Sequence, residues 1–217
     1  MYDVLVDLTP LDTYSRYSGT GRYVRELARA IAALEPADLG GLRIGGLTSI
    51  DDAAATTELG WQGHEPPRIT VDQEVPWLMA RRTRLPRTLR QHRPRLLHAT
   101  YHMGTPRGSL VPRLVTCLDL LRLVLHQDYI PGRWLYRHEL RAAEPVRFHS
   151  ASRIVALSQH TSDDLVRLGF YDSSGEPIPR QLLQDYAAAL VAPWEVDADY
   201  CFGSSTIHSQ LMELGLK

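Results

Sequence analysis

The chain has 217 residues, of which 44% are apolar and 23% charged, and its formal net charge is −1. A chain of this length buries roughly 70% of its extended surface, so it can form a core without disulfides or a structural metal. The composition is that of a soluble globular protein and excludes a polycation. No apolar run approaches the ~18 residues of a membrane helix. These values predict one domain, or one domain with part of another.

The N-terminus and the cysteines indicate the compartment. Residues 2–7 include acids and lack the basic leader of a secretory signal. Cys117 and Cys201 have no CxxC neighbour and do not form a disulfide framework. We therefore expect a cytoplasmic protein.

Short apolar segments alternate with amphipathic ones along the chain. Strands are predicted over residues 1–7, 42–49, 95–100, 113–120, 152–158 and 189–192. Helices are predicted over residues 20–34, 75–91 with an interruption at Pro86, 129–148, 160–168, 181–188 and 206–214. Glycines and prolines predict a long loop over residues 51–72.

This alternation predicts an α/β fold, namely a Rossmann-like, doubly wound, mostly parallel sheet with helices on both faces. Ligands of such sheets bind at the carboxyl ends of the strands. The loops after Asp7, Ala99, Asp119 and Ser158 are therefore the places to look for a site.

A glycine-containing loop, Gly19-Thr20-Gly21-Arg22, opens the first predicted helix. Glycines allow the backbone to approach a ligand, and a helix N-terminus favours an anion such as phosphate, to which Arg22 could add a bidentate contact. The third glycine of the dinucleotide fingerprint is absent, because Val24 stands there, and no P-loop lysine follows. The alternative is a plain tight turn with Thr20 as the helix cap.

Polar residues also follow the third and fourth predicted strands. His98, Tyr101 and His102 could line a pocket, or one histidine could have a structural role; no third metal ligand is evident. Asp119 ends the fourth predicted strand and could orient a hydroxyl or act as a base. It could equally cap the next turn.

Two further motifs have simpler explanations. Ser158 or Thr161 can cap the helix that follows the fifth predicted strand, a structural role. Seven arginines between Arg81 and Arg95 form a basic tract beside Trp77. A solvated face explains the tract; contact with an anionic membrane surface is the alternative. Aromatic residues do not alternate with these arginines, so the pattern does not support nucleic-acid binding.

In their order and spacing, these motifs resemble the N-terminal half of a retaining family 4 glycosyltransferase of the GT-B fold. Five segments carry the resemblance: Val6-Asp7 with Ser18–Tyr23 (the glycine loop), Val115–Leu120 with Asp128-Tyr129 and Pro131 ("VVTxHDL…PEYYP"), Ser152–Thr161 ("ADRIIAVSEFT"), Val191–Asp197 ("VVPNGVD") and Leu211–Lys217 ("LxxLGLK").

The resemblance implies that residues 1–190 form an acceptor-side domain. Residues 191–217 would be the interdomain linker and the start of a C-terminal donor-binding domain. The family transfers a sugar from a nucleotide-sugar to a saccharide or lipid-linked acceptor, with no other cofactor and no obligatory metal. The implied partner is the donor domain, in the same parent chain or as a separate subunit. The basic tract would give peripheral contact with the inner membrane face.

The resemblance also implies roles for the candidate residues. Gly19, Thr20, Gly21 and Arg22 would contact the donor phosphate or sugar. Asp119 would be the catalytic group near the acceptor, and the acceptor cleft would be lined by His98, Tyr101, His102 and Ser158.

This chain departs from the family at several positions. Leu118 replaces the usual histidine, the linker glycine is missing, and no two glutamates are eight positions apart. Leu118 and the missing glutamate pair favour an alternative, a non-catalytic binding or scaffold protein with a degenerate glycosyltransferase fold. A third alternative is a nucleotide-dependent oxidoreductase, but the missing third glycine is evidence against it.

Overall fold

The computed structural model describes residues 2–35, 37, 39–48, 77–102, 111–124, 146–168 and 170. Within these residues, five parallel strands form one sheet: β1 (Val4–Asp7), β2 (Ile44–Leu47), β3 (Leu96–Ala99), β4 (Arg113–Cys117) and β5 (Arg153–Ala156). Their spatial order is β2-β1-β3-β4-β5. The prediction of an α/β, Rossmann-like parallel sheet is therefore confirmed.

The helices of the described residues are α1 (Gly19–Ala32), α2 (Trp77–His92), the single turn α3 (Leu121–Val124) and α4 (Gln159–Arg167). Two short 3-10 helices, Thr9–Asp12 and Tyr14–Tyr17, connect β1 to α1. Residues 146–149 form one more helical turn. The remaining predicted elements, from the loop over residues 51–72 to the C-terminal helix, lie outside the described residues, as does Cys201.

Both faces of the sheet are covered, which explains why most residues of its strands are apolar. On one face, Val4 and Val6 of β1 pack with Val24, Leu27 and Ile31 of α1. These three α1 residues recur at helical spacing, so α1 turns one apolar stripe to the sheet.

The other face is covered in two parts. Leu5 of β1 and Leu97 of β3 pack with Leu85 and Leu89 of α2. Nearer to β5, a second cluster joins β4 and β5 to the turn 146–149 and to α4. Because alternate residues of each strand enter opposite clusters, this is a doubly wound sheet with helices on both faces.

Helix α2 contains Pro86 in its interior. The sequence predicted an interruption there, whereas the helix continues through the proline. Proline cannot donate the hydrogen bond to the preceding turn, so Pro86 weakens α2 locally. Burial of Leu85 and Leu89 against the sheet offsets that loss.

Replacing the proline should therefore stabilise the protein. We expect Pro86→Ala to raise the free energy of unfolding by about 1–3 kcal/mol, since alanine restores a donor and a better helix propensity. Chemical denaturation followed by circular dichroism measures this change. Arg87→Ala, at the exposed neighbouring position, is the control and should change stability little. A destabilised Pro86→Ala variant would show that the proline is required for packing.

At the opposite edge of the sheet from the strand carboxyl ends, the buried Arg113 holds β4 to the segment between the turn 146–149 and β5. The Arg113 guanidinium donates to the Ser150 carbonyl oxygen, and the Arg113 amide donates to Ser152 Oγ at 3.1 Å. Burial lowers the pKa of Arg113 to about 10, so it stays charged at neutral pH.

No helix of the described residues is both long and apolar enough to cross a bilayer.

Candidate functional site

A cleft of about 450 Å³ opens at the carboxyl edge of the sheet. Its walls come from the start of α1 and from the residues that follow β3, β4 and β5. They comprise Ser18, Gly19, Thr20, Tyr101, His102, Leu118, Asp119, Leu120 and Leu157. The strand order reverses between β1 and β3, and parallel sheets bind ligands outside the carboxyl ends at such a reversal. The cleft is therefore where this sheet topology places a ligand.

The first wall is the N-terminus of α1. Its N-cap is Ser18, which has an extended backbone, and Thr20 lies inside the first turn. Ser18 Oγ donates to the Ser15 carbonyl oxygen at 2.8 Å, and no side chain of the described residues caps the helix. Uncapped N–H groups and the helix dipole together favour an anion at this end.

Gly21 and Arg22 do not line the cleft. Gly21 is buried, and a Cβ placed on it would overlap the Arg16 Cα, carbonyl carbon and oxygen. This glycine therefore allows the 3-10 helix Tyr14–Tyr17 to approach α1 closely. Gly19, by contrast, has open space around it, and Arg22 is exposed.

Asp119 brings a carboxylate into the cleft. It follows β4, and its Oδ1 accepts a hydrogen bond from the Leu121 amide at 3.2 Å. It therefore caps α3 and lines the cleft at once. A cleft with both a helix N-terminus and a carboxylate suits a ligand that carries an anionic group and hydroxyls.

Tyr101 and His102 form the wall that follows β3. Their rings are 5.1 Å apart, and the His102 ring stacks on Phe148 at 5.2 Å with an interplanar angle of 29°. Phe148 in turn stacks on Phe170. His102 is 6% exposed, so packing against the core fixes its ring at the cleft.

His98 does not line the cleft. It is 2% exposed, and its Nε2 lies 2.9 Å from Thr116 Oγ1. Burial lowers the pKa of His98 to about 4, an effect that the charge of Asp7 partly opposes. The ring is thus neutral at physiological pH and belongs to the sheet interior beneath the cleft.

Ser158 does not line the cleft either, although its neighbour Leu157 does. Ser158 Oγ accepts from the Thr161 amide at 3.1 Å and so caps α4. Thr161 Oγ1 donates to the Leu118 carbonyl oxygen at 3.3 Å. This contact fixes the loop after β4 against α4, and the sequence offered no signal for it beyond the capping pattern.

Sequence reasoning missed several residues of the site. Ser18, Leu120 and Leu157 line the cleft, and each flanks a motif whose position was predicted. Tyr23 and Thr116 lie beneath the cleft and are hydrogen-bonded to each other at 3.2 Å. Their partnership spans 93 residues of sequence, so no local pattern could have revealed it.

Part of the basic tract is also described. The exposed side chains are those of Arg87, Arg90, Arg93 and Arg95. Arg95 Nη1 lies 3.2 Å from Asp3 Oδ1, in an ion pair.

The described residues contain no group of three or more histidines, cysteines or acids that could hold a metal ion.

Comparison of the chain with protein-family models, with curated proteins and with solved structures finds no match.

Proposed function

We propose that this chain is the acceptor-binding half of a retaining glycosyltransferase of the GT-B fold. The enzyme would transfer a sugar from a nucleotide-sugar donor to a saccharide or lipid-linked acceptor. The observation that carries the proposal is the cleft at the carboxyl edge of the sheet, where the uncapped N-terminus of α1 and Asp119 lie together. The second support is the resemblance of the sequence motifs to that family.

The chemistry required matches the groups in the cleft. During transfer, the bond between the anomeric carbon and the diphosphate oxygen breaks, and a bond to the acceptor oxygen forms. Negative charge develops on the departing diphosphate, which the N–H groups of Gly19 and Thr20 and the helix dipole would stabilise. The acceptor hydroxyl passes its proton to the departing diphosphate oxygen, and Asp119 is the carboxylate available to orient that hydroxyl.

The remaining cleft residues would position the acceptor. Ser18, Thr20 and Tyr101 offer hydroxyl groups, and His102 offers an imidazole. A C-terminal donor-binding domain would close over this edge of the sheet. The exposed arginines of the basic tract support peripheral contact with anionic lipid, which would bring the enzyme to a lipid-linked acceptor.

A second candidate is a non-catalytic binding protein that retains the same fold. The specific observation in its favour is Leu118, which lines the cleft where the family that the motifs resemble carries a histidine. An apolar side chain at that position cannot exchange a proton or donate a hydrogen bond. In this reading, the cleft would bind a saccharide without turning it over.

Sugar transfer by the complete product of the gene that encodes this chain tests the proposal. The donors are UDP- and GDP-linked hexoses, the acceptors are lipid extract and polysaccharide, and the readouts are labelled product and released nucleoside diphosphate. We expect Asp119→Asn to reduce transfer by about 100-fold or more, because it removes the charge but keeps an oxygen to cap α3.

The control is Asp163→Asn, which changes an exposed carboxylate on α4 and should leave transfer unchanged. Equal transfer by wild type and Asp119→Asn would overturn the role of Asp119. Saccharide binding without any nucleoside diphosphate release, from every donor, would overturn the enzyme proposal in favour of the binding protein.

A further inference from the structure

A buried chain of hydrogen bonds lies directly beneath the cleft. The Tyr23 hydroxyl of α1 is 3.2 Å from Thr116 Oγ1 of β4, which is 2.9 Å from His98 Nε2 of β3. Thr116 is fully buried and His98 is 2% exposed. Three polar side chains in the middle of an apolar face are costly to bury unless they are paired with one another.

The hydrogen bonds join α1, β4 and β3, and each of these elements leads to a wall of the cleft; the fourth wall, Leu157, follows β5. Tyr23 lies one helical turn after Thr20, at the start of α1. Thr116 lies three residues before Asp119, and His98 lies three residues before Tyr101. None of the three side chains lines the cleft itself.

We propose that Tyr23, Thr116 and His98 are positioning residues that fix the cleft walls of α1, β3 and β4 relative to one another. Thr116 is the central member, because its one hydroxyl contacts both of the others. The proposal deepens the function proposed above, since the walls in question carry the α1 N-terminus and Asp119. The effect of this positioning on sugar transfer rests on that function, whereas the coupling between the cleft walls does not depend on it.

The number of hydrogens available limits which of these three side chains donates to which. The Thr116 hydroxyl has one hydrogen, so it donates to at most one of the two neighbours and accepts from at least one of them. If it donates to His98, Tyr23 must donate to it; if it donates to Tyr23, His98 must donate from Nε2. Loss of the Thr116 hydroxyl therefore removes both bonds at once and leaves the buried His98 ring and the partly buried Tyr23 hydroxyl without this partner.

The charge states of Tyr23 and His98 agree with a positioning role. Burial raises the pKa of Tyr23 to about 12, although its bond to Thr116 opposes this shift, and burial lowers the pKa of His98 to about 4. Both groups are thus neutral across the physiological range, and the geometry is held without a change of charge. Asp7 of β1 is the charged group whose field reaches His98.

Hydrogen exchange of backbone amides in the isolated protein tests the proposal without any substrate. In Thr116→Val, which keeps the side-chain shape, we expect the hydrogen-bonded amides of Arg22, Leu121 and Val124 beside the cleft to exchange roughly tenfold faster than in wild type. The amides of β2 should keep their wild-type exchange rates. Thr116→Ser keeps the hydroxyl and should restore wild-type exchange. The matched control is Thr48→Val, at a buried threonine just after β2, which should not accelerate the cleft amides selectively.

Each outcome has a definite meaning. Selective acceleration at the cleft, rescued by serine, supports the positioning role. Uniform acceleration over the whole sheet, or no acceleration, overturns it and leaves Thr116 a residue of the general core. Because no sugar is present, this result is independent of the transfer assay, so failure of the coupling and failure of the proposed function can be told apart.

Discussion

Gly21→Ala should destabilise the protein by about 1–3 kcal/mol, although alanine is ordinarily the better residue in a helix interior by up to ~1 kcal/mol. The reason is steric: an added Cβ would overlap the backbone of Arg16, which is not a flexible side chain that could turn aside. The 3-10 helix Tyr14–Tyr17 would have to move away from α1. Because Ser18 follows that helix directly, the start of α1 at the cleft would shift with it.

Gly19→Ala is the matched control, two residues earlier in the same helix. No atom lies within 4 Å of the Cβ that it would add, so we expect stability to change little or to rise slightly. Urea denaturation of the two variants beside wild type measures the contrast. Should both variants prove equally stable, the close approach between α1 and residue 16 would be refuted.

The pH dependence of stability should carry a contribution from His98 on the order of 3 kcal/mol. Burial lowers its pKa from 6.5 to about 4 in the folded state. Between these two values, the unfolded chain binds a proton that the folded protein does not. This contribution to stability is therefore fully present above pH 6.5, is lost progressively as the pH falls towards 4, and does not change further below that.

His98→Gln tests this prediction, because glutamine can still hydrogen-bond to Thr116 but does not titrate. The difference in unfolding free energy between wild type and variant should fall with decreasing pH between 6.5 and 4. His160→Gln, at an exposed position on α4, is the control for the other histidines. A difference that stays flat across this interval would show that the folded protein accommodates a charged His98.

The sequence was sufficient to predict the class of the fold, since that class follows from local periodicity. Apolar runs such as Val4–Val6 are typical of strands covered on both faces, and the 3.6-residue spacing of Val24, Leu27 and Ile31 is typical of a helix on a sheet. All five strands of the described sheet coincide with predicted strands. The alternation also placed the cleft at the carboxyl edge, where Gly19, Thr20, Tyr101, His102 and Asp119 lie together.

Pro86 shows where local rules stop. A proline in a helical pattern predicts an interruption, because its effect on the adjacent backbone is local. Whether the helix continues depends on the burial of Leu85 and Leu89 against the sheet, which is a tertiary contact. The prediction of an interruption was wrong for that reason.

Local sequence patterns were enough to predict the strands of the sheet, their alternation with helices and the edge of the sheet that carries the site. Which candidate side chains face the cleft depends instead on contacts between distant parts of the chain. His98 enters the interior to meet Thr116, and Gly21 meets Arg16 rather than lining the cleft. These outcomes depend on contacts between α1, β3 and β4, whose residues are up to 93 positions apart in the chain. Hydrophobic periodicity is a property of neighbours in sequence, whereas the direction of a single polar side chain depends on which distant partner satisfies it.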